Sequence, residues 1–355
     1  MGSVGLAVRL LVLSAAIAVL GLRQSSAVAA TLQVPAGYAT IQAAIGSASP
    51  GDTVAVSPGT YYENLLIPAP GGVTLIGTGG ATVTAVDGGG AGSVISVGPG
   101  AFATVLIEGL EIRNGSATQG AGLVAWISSV TVRRCEFRGN SANSGYPSYG
   151  GAAMLFAHIK VSTPMVIEEC VFEENSAEDL GRGGAILSQF GQLSLIGNLF
   201  IGNTADVTAA VDAFMEPGQS IVMTRNTFVA NACLSGATVR VEGYGTLSQN
   251  IIVQNEASGV ECMGSMFISC NDVWDNEKGI VGCLPDTANF SADPMFCGPE
   301  DFRLDDGSPC LPGNHPGGVD CGVVGAYGAC VVGVRSEHPV SARWGELKRR
   351  YATEE

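Results

Sequence analysis

Charge is scarce in this chain, and positive charge is scarcer still: charged residues make up 14% of its 355 residues, with 17 basic against 32 acidic side chains. A net charge of −15 repels phosphate backbones, so no nucleic-acid partner is expected. Only three histidines occur, His158, His315 and His338, and no two cysteines stand in a Cys-x-x-Cys pair, which leaves no ligand set for zinc. Past Leu22 no apolar run approaches the ~20 residues that span a bilayer, and no transmembrane segment is expected in the mature chain.

What is present at the start reads as an export signal. Arg9 precedes the apolar stretch Leu10 to Leu22, and the small residues Ala27, Val28 and Ala29 follow it. We expect residues 1–30 to be a signal peptide, residues 31–330 one repetitive domain and residues 331–355 a polar tail. Location is then outside the cytoplasm, secreted or attached to the cell envelope. Ten cysteines, an even number, suit that compartment, and seven of them fall between Cys262 and Cys330. Fifty glycines and a mean hydropathy of +0.31 fit many tight turns around a continuous apolar core.

Self-comparison exposes one pattern six times: Cys or Asn, a hydrophobe two residues on, and Asn three residues after that. It runs Cys135, Phe137, Asn140; Cys170, Phe172, Asn175; Asn198, Phe200, Asn203; Asn226, Phe228, Asn231; Asn250, Ile252, Asn255; and Asn271, Val273, Asn276. Leu110 and Ile112 form a weaker upstream copy. A pair of alternating apolar residues precedes each motif, as in Val130 and Val132, but the step from Val132 to Cys135 is three residues, so the chain bends there. A third strand follows, opening on small residues: Gly150, Gly151, Ala152 and Met154, then Gly183, Gly184, Ala185 and Leu187.

Three short strands per repeat make one coil of a β-solenoid, with equivalent residues stacked about 4.8 Å apart. The Phe137, Phe172, Phe200 and Phe228 column fills the core. The column Asn140, Asn175, Asn203, Asn231, Asn255 and Asn276 is expected at a turn, where Asn tolerates left-handed backbone and its amide bonds its copy in the next coil. Tyr38, Ile41, Ala44 and Ile45 have helical spacing and predict a short helix over the N-terminal end. The cysteine-rich segment from Cys283 to Cys330 is expected to close the other end.

Thr40 to Ala44, Gly51 to Val54 and Pro58 to Asn64 resemble the opening of pectin-lyase-like right-handed parallel β-helix proteins. Ser269 to Asn276, Asp293 to Cys297 and Ser308 to Cys310 are similar to secreted bacterial β-helix-repeat proteins, most without a known activity. The resemblance implies an all-β fold, a right-handed parallel β-helix, and says little about chemistry because one scaffold hosts many functions.

Gly59, Tyr61 and Glu63 match the G-x-Y-x-E signature that pectin methylesterases also carry, but the rest of that catalytic set is missing, with Asp212 in Val211 to Phe214 only an echo of it. The expected role of Gly59 and Tyr61 is a turn into the first coil. No histidine has the Gly-His-Gly setting of polygalacturonase-like hydrolysis. Lyase chemistry would need an Arg or Lys base beside Ca²⁺-binding carboxylates, and the run Glu168, Glu169, Glu173, Glu174, Glu178 and Asp179 is the one place for Ca²⁺. Register supplies another use for it: Arg133 beside Glu168, Arg134 beside Glu169 and Arg138 beside Glu173, with Glu108 on the other side of Arg133, give inter-coil ion pairs. Cys135 and Cys170 stack in adjacent coils, either as a disulfide or as buried thiols. The loop Ser144 to Tyr149 offers two tyrosines to a sugar ring, and Trp344 to Tyr351 reads as a short basic helix.

The expected function is a non-catalytic β-helix that is structural or binds a polysaccharide or cell-surface partner, with no cofactor. The alternative is a polysaccharide lyase or hydrolase whose acidic face holds Ca²⁺.

Overall fold

The computed structural model describes residues 28–98, 104–143, 150–157, 165–284 and 286–330. The signal-like residues 1–27, the Tyr146 and Tyr149 loop and the tail from residue 331 lie outside these.

The chain winds as a parallel β-helix. One coil shows the plan: Ile186–Gln189, Leu193–Ile196, Leu199–Ile201 and Thr204–Ala205 follow one another, each paired in parallel with its equivalent a coil away. The third strands form a separate nine-stranded parallel sheet from Gly59–Tyr62 to Asp272–Trp274. Four strands, not three, complete a coil. The extra one spans only two or three residues in Ser141–Asn143, Ser176–Glu178 and Thr204–Ala205, too short to leave a periodic signal.

Bends of one residue separate the strands. The left-handed backbone at each bend belongs to the residue before the Asn: Gly139, Glu174, Gly202, Ala230, Gln254 and Asp275 precede Asn140, Asn175, Asn203, Asn231, Asn255 and Asn276 with φ between 52° and 58°. The bend corrects the expected position of the Asn: the left-handed residue turns the corner, and the Asn after it points inward. Its carboxamide accepts from the backbone N–H of the preceding rung and donates to its carbonyl side, so it satisfies groups that a bend would otherwise leave unpaired.

Inside, Tyr61, Val86, Ile112, Phe137, Phe172, Phe200, Phe228, Ile252 and Val273 stack in register. The four phenylalanine rings lie nearly parallel at centroid separations of 5.2, 4.7 and 4.5 Å, which adds about 0.5–1.5 kcal/mol per pair to burial. The small-residue openings have a steric reason: Gly151 and Gly183 take φ of 67° and 64°, and a Cβ at either would strike the carbonyl of Met154 or Ile186. Their strands pair one residue out of the motif alignment, Met154 opposite Ile186 rather than Leu187. Ile186 and Leu187 are both apolar and both buried, so alternation could not fix the phase.

Helix Ile41–Ser47, here α1, covers the N-terminal end and buries Ile41, Ala44 and Ile45. Strand Thr31–Val34 joins it by pairing with Thr53–Val56. At the other end Asn289 continues one asparagine column and Phe290 pairs with Asp272, so this segment does lie on the last coil. The chain then runs back along the outside of the nine-stranded sheet as a strap. Phe302, Leu304, Cys310, Cys321 and Val324 cover Val171, Leu199, Ile201, Val229, Ile251 and Val253. Disulfides Cys262–Cys283, Cys270–Cys321 and Cys297–Cys330 staple this part.

Candidate functional site

Two asparagine columns run through the wall of the helix. In the second, Asn140, Asn175, Asn203 and Asn231 each donate Nδ2 to the Oδ1 of the next member at 2.9–3.0 Å, and Asn255 to Asn276 at 2.8 Å. Each Oδ1 also takes the backbone N–H of the rung before it, as Asn231 does from Asn203 at 3.0 Å. Asn198, Asn226, Asn250, Asn271 and Asn289 form the other column with the same bonds. Cys170 and Cys135 extend it as free, buried thiols. Cys170 N–H donates to Asn198 Oδ1 at 2.9 Å and Cys135 N–H to Cys170 Sγ at 3.5 Å, while the Cys135 thiol donates to the Ile107 carbonyl as the Asn226 amide does to Leu195. The thiols therefore occupy asparagine places in the ladder.

The charged columns are fewer pairs than register alone implied. Arg138 meets Glu173 at 2.8 Å and Arg134 approaches Glu169 at 3.8 Å. Arg133 faces Glu168 across the strands, yet its guanidinium turns to Glu108 at 2.6 Å, and Arg134 bonds the same carboxylate. Arg133 and Glu168 are not joined among the ion pairs of the described residues. Glu108 is the more enclosed acceptor: burial pushes its carboxyl up, but the hydrogen bonds from Arg133 and Arg134 outweigh this and hold it below the ordinary range. Beside it, Asp87 takes Arg113 at 2.9 Å and the Asn114 amide at 2.8 Å. These arginines are engaged with carboxylates and none is a free base.

The G-x-Y-x-E residues also have structural positions. Gly59–Tyr62 is a strand rather than a turn, and the Tyr61 hydroxyl donates to the Ser57 carbonyl at 3.0 Å. The Glu63 carboxylate accepts the N–H groups of Ile41 and Gln42, both at 2.9 Å, and so caps the start of α1. Asp212 lies under a stack of side chains: Arg182 reaches it at 2.9 Å, the Thr208 hydroxyl donates to it at 2.8 Å, and both Arg182 and Arg240 lie over Phe214. Burial pushes its carboxyl up to about 6, against the pull of Arg182. Its side chain is only 1% exposed, so it is enclosed from any large substrate.

A cleft of about 410 Å³ lies outside the short fourth strands. Ser176, Thr204, Ala232 and Glu256 stand in register along its floor, a run of roughly 14 Å at the strand spacing of about 4.8 Å. Glu178, Asp206 and Leu234 line it as well, with Leu234 85% exposed. Asp206 accepts the Leu180 N–H at 2.7 Å, and Glu178 the Ser176 hydroxyl at 3.2 Å. Among the described residues that line the cleft there is no Arg, Lys or His. Among the described residues no three His, Cys, Asp or Glu side chains converge as a metal site, the acidic run from Glu168 to Asp179 included. Only Glu178 of that run reaches the cleft. The motif search missed it because its floor is built from the strand too short to be seen.

The strap was missed too, although it left a trace. Val171-Phe172, Leu199-Phe200-Ile201 and Ile251-Ile252-Val253 are apolar on both faces, whereas the same outward places in earlier coils hold Glu111, Arg113, Glu136 and Arg138. Strands buried on both faces read as unbroken apolar runs.

A search of the curated proteins finds no match. The family described as the right handed beta helix region matches residues 104–281, which span six of the register-paired coils. With the parallel sheets and the inward ladders on that same stretch, the chain belongs to the right-handed β-helix family.

Proposed function

We propose that the protein is a non-catalytic β-helix that binds an extended glycan at the cell exterior along the cleft over Ser176, Thr204, Ala232 and Glu256. The observation that carries this reading is the cleft itself: the hydroxyls of Ser176 and Thr204 and the carboxylates of Glu178, Asp206 and Glu256 line an extended floor, groups suited to the hydroxyls of a polymer. The carboxylates, with no cation among the described lining residues, favour neutral sugars over polyuronates. Three disulfides suit an oxidising compartment.

A hydrolytic reading rests on the same residues, since hydrolysis needs two carboxyl groups flanking the bond and Glu178, Asp206 and Glu256 all line the cleft. Elimination has no Arg or Lys base among the described lining residues. The test is titration calorimetry of the disulfide-intact protein with neutral and uronate oligosaccharides, beside a cleavage screen with and without Ca²⁺ that follows unsaturated-uronate absorbance and reducing ends. Binding of a neutral oligosaccharide without cleavage, lost in Ala232→Trp, is expected. New reducing ends would replace the binding reading with the hydrolytic one, and Ca²⁺-dependent absorbance would overturn both.

A further inference from the structure

The strap meets the solenoid over a buried carboxyl group that has no counter-ion. Asp272 stands on the outward face of the last strand of the nine-stranded sheet and is fully buried. Its Oδ1 accepts the Ala292 N–H at 3.0 Å, and the Cys310 thiol donates to its Oδ2 at 3.4 Å. Both donors belong to the strap. Around them, Ser308 donates to the Pro294 carbonyl at 2.6 Å and accepts from the Cys310 N–H, so residues 292–294 and 308–310 close over the carboxyl as one unit.

The titratable groups facing Asp272 are Cys310 and Asp293, both from the strap, and neither is a cation. His315 packs edge-on against Phe290 and bonds the Ala288 carbonyl. Arg303 is engaged with Asp301 at 2.5 Å. No Lys or Arg forms an ion pair with Asp272 among the described residues. The strap is fixed on either side of this contact, by Val273 N–H on the Phe290 carbonyl and by the Cys270–Cys321 disulfide. Between those anchors Cys297 stays tied to Cys330 and Leu304 to residues 328 and 330, so the segments free to loosen over Asp272 are 291–296 and 305–320.

The geometry points to a proton-controlled strap: segments 291–296 and 305–320 lie closed on the solenoid while Asp272 is a neutral carboxyl, and loosen when it ionises. Burial, with Asp293 adding to it, raises this carboxyl to about 7, the pH range in which the change would fall. A carboxylate formed there has an N–H and a thiol as its donors and no cation, so lifting the strap to admit water is its relief.

Hydrogen exchange of the full, disulfide-intact chain at pH 5.5 and 8.5 tests this, expressed as protection factors so that intrinsic exchange rates cancel. Amides of residues 292–296 and 305–311 should lose at least tenfold in protection at pH 8.5, while those of the Phe137 to Phe228 strands keep theirs. Asp272→Asn should remove the difference. A carboxyl-carbon NMR titration of the unmodified protein gives the midpoint without any variant. A midpoint below pH 5, equal protection at both pH values, or a pH effect that survives in Asp272→Asn would each overturn the proposal.

Discussion

Replacing Asn203 by Ala removes a rung from the middle of the second ladder, and the cost follows from the bonds counted there. The Asn175 backbone N–H and its Nδ2 lose their acceptor at 3.2 and 2.9 Å, and the Phe172 carbonyl loses a donor at 2.9 Å. Asn231 Oδ1 keeps the backbone N–H of residue 203 and loses only the side-chain donor. Three groups are thus left short of partners in a wall where Asn175 and Asn203 are wholly buried. At roughly 1–3 kcal/mol for each buried group left unpaired the range is about 3–9 kcal/mol, and because Asn175 Nδ2 keeps the Phe137 carbonyl at 3.0 Å the loss falls in its lower half.

Asn276 ends the same column and is half-exposed, so water can replace its amide, and Asn276→Ala should cost about 1 kcal/mol. Urea titration followed by far-ultraviolet circular dichroism measures both as shifts in midpoint at constant slope. Equal losses for the two variants, or an Asn203→Ala loss near 1 kcal/mol, would refute the argument that buried rungs satisfy groups water cannot reach. Asn203→Asp sharpens the test, because it keeps the shape and the acceptors, removes the donors and buries a charge, and at pH 7 it should be worse than Ala.

Four further outcomes are expected. Ala230 holds φ of 52° at a bend, so Ala230→Gly should raise stability by about 1 kcal/mol in the same titration. Cys170→Asn should fold and hold the ladder, with a urea midpoint at or above that of the parent, since the thiol already accepts the Cys135 N–H and donates to the Glu168 carbonyl as an asparagine there would. Glu63→Ala should cost about 1 kcal/mol by uncapping α1, read as faster exchange of the Ile41 and Gln42 amides. Asp212 and Asp272 are held near 6 and 7 in the fold and near 3.8 when unfolded, so the unfolded chain gives up its protons first. Their contribution is full below pH 4 and is lost as pH rises to about 7, on the order of 3 kcal/mol for Asp212 and about 4 kcal/mol for Asp272, which thermal melts at pH 4.5 and 7.5 should show against Asp212→Asn and Asp272→Asn.

What the sequence made legible is what the repeat forces to be the same in every coil. Phe137, Phe172, Phe200 and Phe228 recur because stacked rings fill one cross-section, and Asn140 to Asn276 recur because each bend leaves the same backbone groups to satisfy. The parity break between Val132 and Cys135 located a bend for the same reason. Reasoning from register placed Arg138 beside Glu173 and Arg133 between Glu168 and Glu108, but it could not choose between those two carboxylates, since register places Cα atoms and the guanidinium takes the more enclosed acceptor. The position of the left-handed residue escaped because Glu174, Gln254 and Asp275 share no chemistry with Gly139 or Ala230; only the backbone angle unites them.

The same logic says where specificity can be written in such a wall. Inward positions of the fourth strand neighbourhood are held fixed by the asparagine column, Asn175, Asn203, Asn231 and Asn255, while one residue later Ser176, Thr204, Ala232 and Glu256 change from rung to rung. An outward residue on a solenoid touches water or a ligand and meets no demand for identity with its neighbours above and below. A site built there varies along the axis, which hides it from any search for repeats and is also what a surface needs to tell one extended ligand from another. The outward places of the nine-stranded sheet obey the rule in the other direction: they turn apolar at Leu199, Ile201, Val229 and Ile251 because the chain itself has become the ligand of that face.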